Sequence, residues 1–93
     1  MVNFEILGSA LEFVNECNRQ LAALRLALAK AEIDPEAYEL LSQSCYDSTK
    51  NALKESLCFG QSAITITDHM LDKLMEEQVK FARECLKSPE RSR

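Results

Sequence analysis

The stretch LAALRLALAKAEIDPE, residues 21–36, decides how this chain folds. Nine of the eleven residues from Leu21 to Ala31 are apolar, and all eleven are strong helix formers. The segment therefore reads as the end of a long helix. Glu32-Ile33-Asp34-Pro35 breaks it. Asp34 is suited to the N-cap of a second helix and Pro35 to its first position, with Glu36 close behind at the positive dipole end. A connection this short joins two helices only as an antiparallel hairpin. The run is also more apolar than one buried stripe requires, so a further neighbour is expected on its other side.

Working outward, the first helix is expected from Phe4 or Ser9 to Ala31. The second should run from Pro35 to Cys58 or Phe59 and close on a left-handed Gly60. Residues 61–67, QSAITIT, alternate β-branched and hydroxyl side chains and read as a connection. Thr65, three residues before Asp68, or Thr67 alone, then caps a third helix that ends near Lys87. Ser88-Pro89 stops it, and residues 89–93 are expected to form a flexible tail. The expected fold is all-α: residues 1–88 make one three-helix, up-down-up antiparallel bundle with heptad-like packing, and copies of it associate into a homo-oligomer.

Periodicity assigns the faces. In the first helix Leu7, Val14, Leu21 and Leu28 recur every seven residues, with Ala10, Cys17, Leu24 and Ala31 three positions later, which is a heptad seam. On its far side Ala22, Ala23, Leu26 and Ala29 form an apolar patch. In the second helix one stripe carries Tyr38, Leu41, Cys45, Ala52 and Phe59. A second stripe carries Tyr46, Leu53 and Leu57, and two stripes imply two neighbours. Ser42, Ser48, Thr49 and Ser56 weaken this helix, because their hydroxyls compete for backbone partners. The third helix is amphipathic, with Ile64, Leu71, Gln78 and Cys85 on one seam and Thr67, Leu74 and Phe81 beside it.

Composition narrows the function. The 93 residues carry a net charge of −4, which opposes binding to nucleic acid, since that requires clustered Lys and Arg. Arg25 and Lys30 interrupt the longest apolar run, so no membrane span is expected; one needs roughly 18 apolar residues. Cys17, Cys45, Cys58 and Cys85 are spaced by 28, 13 and 27 residues, without the paired spacing of a zinc site. With no secretory leader read at the start, reduced thiols in a cytoplasm are expected. Cys58, beside Asp47 and Asn51 on the polar side of the second helix, is expected to be the most accessible.

Candidates for chemistry are sparse. Asp68, Asp72 and Glu76 recur every four residues, but Lys73, Lys80 and Arg83 lie among them, which marks a solvated face. His69 is expected at the surface. Neither a Glu-x-x-His pair for a di-metal bundle nor a recognisable catalytic set is present, so no enzyme activity, cofactor or metal is expected. The leading expectation is a non-enzymatic protein-protein interaction module of the adaptor, inhibitor or immunity type, acting on a larger protein partner. Its interface would be drawn from Ala22, Ala23, Leu26, Ala29, Tyr46, Leu53 and Leu57. The alternative is a small-molecule-binding bundle with ligand-controlled association and a pocket at Tyr38, Ser42, Tyr46 and Thr49.

Overall fold

The computed structural model describes residues 4–87, so the tail expected at 89–93 lies outside the described residues. Three helices follow one another: α1 (Phe4–Ala29), α2 (Pro35–Glu55) and α3 (Gln61–Lys87). Their 26, 21 and 27 residues correspond to about 39, 32 and 40 Å of helix. They pack side by side in a body of 51 × 17 × 15 Å. Each helix touches both of the others. Among the described residues no helix is long and apolar enough to cross a membrane.

The α1 to α2 turn forms where expected but closes earlier on the α1 side. Helix α1 ends at Ala29, not Ala31. Glu32 N–H donates to the Ala27 carbonyl at 2.8 Å and Ala31 N–H to that of Leu28 at 3.0 Å. These crossed bonds are a Schellman closure. It requires a left-handed residue at position 31, and Ala31 adopts a φ of 59°. The α2 start matches its sequence signals. Asp34 is extended, its carboxylate accepts from Ala37 N–H at 2.7 Å, and Pro35 opens the helix.

The second connection differs more from expectation. Helix α2 ends at Glu55, capped by an extended Ser56 whose N–H donates to the Leu53 carbonyl. Gly60 does not take a positive φ. Its carbonyl instead accepts from Ile64 N–H at 3.1 Å, so α3 begins at Gln61 and includes the segment expected to be a connection. The hydroxyls there are satisfied inside the helix. Thr65 donates to the Gln61 carbonyl at 2.9 Å and Thr67 to that of Ala63 at 2.8 Å, the back-bonding open to Ser and Thr in helices. Ala63, Thr67 and Leu71 are all buried, four residues apart. This helical spacing outweighs the local alternation.

The core is one cluster built from Ala10, Val14, Cys17 and Leu21 of α1, Leu53 of α2, and Ala63 and Leu71 of α3, with Leu7, Leu24, Cys45, Tyr46 and Phe59 packed against it. The α1 seam is therefore as expected except at Ala31, which is exposed beyond the helix end. In α2 the buried line is Tyr38, Ser42 and Leu53, which runs between the two expected stripes. Leu41 and Leu57, at the stripes' outer edges, are exposed. At the far end from the first turn, the Phe59 ring meets Phe13 edge-to-face at 5.7 Å.

Alanine at a left-handed position is under strain that glycine escapes. Ala31→Gly is expected to stabilise the protein by about 1 kcal/mol, seen as a higher urea midpoint at unchanged slope. A lower midpoint would contradict the turn geometry.

Candidate functional site

The polar centre of the molecule is Gln78, on the α3 seam and only 1% exposed. Its side-chain N–H group donates to the Leu21 carbonyl of α1 at 2.9 Å and to the Ser42 hydroxyl of α2 at 3.2 Å. The Tyr38 hydroxyl donates to the Gln78 backbone carbonyl at 3.1 Å. Turning the amide over would set its oxygen against the Leu21 carbonyl, so the donor end must face α1. Gln78 Oε1 is left buried without a partner. Burial pushes the Tyr38 hydroxyl up to about 12, against the opposing influence of Arg25.

A groove of about 570 Å³ between α2 and α3 is lined by Tyr38, Ser42 and Gln78 together with apolar Met75, Val79 and Ala82. Exposed Glu36, Glu39, Leu40, Gln43 and Arg83 complete its lining. A second cavity of about 920 Å³ shares Gln43, Met75, Val79 and Arg83 with it and extends to Tyr46 and Asp72. There the two helices are clasped. The Tyr46 hydroxyl donates to Asp72 Oδ1. Lys50 Nζ lies 2.8 Å from the same oxygen and 4.7 Å from the Tyr46 ring centre. The Lys50 ammonium, and then the Tyr46 hydroxyl, hold the Asp72 carboxyl below its ordinary value. Burial first, then the hydrogen bond to Asp72, raise Tyr46. Bonding to Asp72 and then to Tyr46 raises Lys50.

The expected site residues divide into separate places. Ala22, Ala23, Leu26 and Ala29 are all exposed on α1, Leu26 by 56%. Leu53 is 0% exposed and belongs to the core, a correction to its assignment to an interface. The line of burial in α2 passes through Leu53, leaving none of it to offer another chain. Leu57 is 100% exposed, in the α2 to α3 connection. It lies beside Phe59, which meets the first half of α1, so it is remote from the Ala22–Ala29 patch. Tyr46 is half-buried in the clasp. Of the expected pocket residues, Tyr38 and Ser42 line one cavity and Tyr46 the adjoining one. Thr49 lines neither, and its hydroxyl donates to the Cys45 carbonyl within α2.

Periodicity places Gln78 on a seam but does not show its bridging role. The signal was a lone amide interrupting the apolar run from Leu71 to Cys85. Lys50 lies off both expected α2 stripes, and Asp72 lies on the α3 face expected to be solvated. Their pairing needs the relative phase of α2 and α3, which periodicity within one helix does not carry. Cys58 is exposed as expected, but in the connection and not on a helix face. His69 is exposed. Among the described residues no group of three or more His, Cys, Asp or Glu side chains is placed to hold a metal ion. No protein-family model, curated protein or solved structure matches the chain.

The protons held on Cys45 and Tyr38 contribute to a loss of stability at alkaline pH. Burial, then the neighbouring Cys17, push the Cys45 thiol from 9.0 up to about 12, and Tyr38 rises from 10.0 to about 12. The unfolded chain ionises near the ordinary values while the folded protein holds the protons. The stabilisation is therefore complete below about pH 9 and is lost as pH rises towards 12. Urea midpoints are expected to fall across that window, and Tyr38→Phe should reduce the fall above pH 10. A flat profile would refute this account.

Proposed function

We propose that this chain is a non-enzymatic helical protein-protein interaction module of the adaptor, inhibitor or immunity type, which seats an exposed helix face on a larger protein and associates with copies of itself. The observation that carries this reading is the α1 patch of Ala22, Ala23, Leu26 and Ala29. All four residues are exposed, and Leu26 is 56% exposed, on a rigid helix whose opposite side is locked into the core. Small side chains around one leucine allow close approach of another helix, the groove-filling mode by which amphipathic helices recognise partners. The reading takes residues 1–88 as one domain working in the cytoplasm.

An up-down-up antiparallel order belongs to the same reading. Its support lies in contacts that descend one helix as they ascend the next. Cys17 meets Cys45 while Phe13 meets Phe59, and Tyr38 meets Gln78 while Tyr46 meets Asp72.

Sedimentation equilibrium of the wild type and Leu26→Glu is the test. Association in the micromolar range is expected for the wild type, and the variant should stay folded by circular dichroism yet lose at least tenfold in association constant, about 1.4 kcal/mol. A wild type that remains strictly monomeric at high micromolar concentration would remove self-association.

A second reading, a small-molecule-binding bundle with ligand-controlled association, draws support from the α2 to α3 groove, which is lined in part by Gln78, whose buried Oε1 has no partner. Small phenols and aromatic amides combine an apolar body with a donor for that oxygen. Under this reading some of them raise the melting temperature by mass action. No shift across such a panel at millimolar concentration counts against it.

A further inference from the structure

Cys17 of α1 and Cys45 of α2 bring their Sγ atoms to 3.4 Å, and Cys45 Sγ also lies 3.1 Å from Gln20 Oε1. A disulfide bond is about 2.05 Å long, so closure requires a combined shift of about 1.4 Å from two single-torsion side chains. The facing positions are 28 residues apart, on different helices. The remaining thiols are elsewhere: Cys58 is exposed in the α2 to α3 connection and Cys85 is half-buried near the end of α3. We propose that Cys17 and Cys45 are an oxidisable pair that closes into an intramolecular disulfide, fastening α1 to α2, with a hydroperoxide as the oxidant.

The chemistry balances with hydrogen peroxide. Cys45, the more accessible of the two, gives its proton to solvent, and its sulfur attacks a peroxide oxygen and displaces hydroxide, leaving a sulfenic acid. The Cys17 sulfur then attacks the Cys45 sulfur. The S–S bond forms, the S–O bond breaks, and the departing hydroxyl leaves as water with the Cys17 proton. Two thiols are oxidised by the loss of two hydrogens, and one peroxide is reduced to two waters. Burial keeps the Cys45 thiol protonated, so the step is slow beside modification of exposed Cys58. The second sulfur within contact distance makes the disulfide, and not a higher oxide, the end point.

The test treats the full chain and the variant Cys58→Ser/Cys85→Ser with hydrogen peroxide. In the variant, the expected product is a monomer lighter by two hydrogen atoms, with the peptides containing Cys17 and Cys45 linked on non-reducing mapping. Its melting temperature should be higher than that of the reduced form by roughly 10 °C, because the closed loop restricts the unfolded chain. The full chain should give the same linked peptides. Oxidation that halts at a sulfinic acid, yields a disulfide-linked dimer of the variant, or leaves the melting temperature unchanged or lower would overturn the proposal.

Discussion

One buried amide holds the three helices in register. Gln78 reaches α1 through the Leu21 carbonyl and α2 through the Ser42 hydroxyl, while its own backbone carbonyl receives Tyr38. Apolar seams slide with little penalty, since one leucine replaces another at nearly the same burial. An amide does not slide. Displacing α3 by a turn would strand a buried donor, at a cost of about 1–3 kcal/mol. A polar residue at a seam position is a known device for specifying register at some expense in stability, and the unpartnered Gln78 Oε1 is that expense here. The dependence is greatest for α2, whose serines and threonines make it the weakest intrinsic helix of the three.

The same arrangement separates what the molecule uses internally from what it leaves outside. Helix α1 commits Ala10, Val14, Cys17 and Leu21 to the core and leaves Ala22, Leu26 and Ala29 exposed. The α2 to α3 side is different: its groove has polar groups in its lining and adjoins a second cavity bordered by Tyr46 and Asp72 of the clasp. A dry helix contact suits the first surface. A ligand with its own hydrogen-bonding group suits the second.

Much of the architecture was legible because it rests on local rules. Asp34-Pro35 starts α2 as its side chains require, and the heptad seam of α1 faces inward except at Ala31. The misreadings came where local and longer-range signals disagreed. Thr65 and Thr67 resemble loop residues until Ala63, Thr67 and Leu71 are counted together, and Gly60 resembles a helix stop although its carbonyl serves a helix start. Ala31 shows the reverse case, a left-handed closure made by a residue that does not announce one. The candidate site was less legible than the fold. Tyr38 and Ser42, expected at a pocket, line the groove, but Gln78, Lys50 and Asp72 acquire meaning only when α2 and α3 are phased against each other. The two α2 stripes concealed the line between them, so Leu53 was assigned outward when it lies at the centre.

The polar content of the interior also shapes how stability responds to temperature. Tyr38, Ser42, Thr67 and Gln78 are buried beside a modest set of large aliphatic side chains. On unfolding, exposed apolar surface raises the heat capacity while exposed polar surface lowers it. A core with this mixture unfolds with a smaller heat-capacity increment than an all-leucine bundle of equal length. Its free energy therefore varies along a shallower curve, so the hydrogen-bonded centre that sets the register also spreads the folded state over a wider thermal range for a given maximum stability.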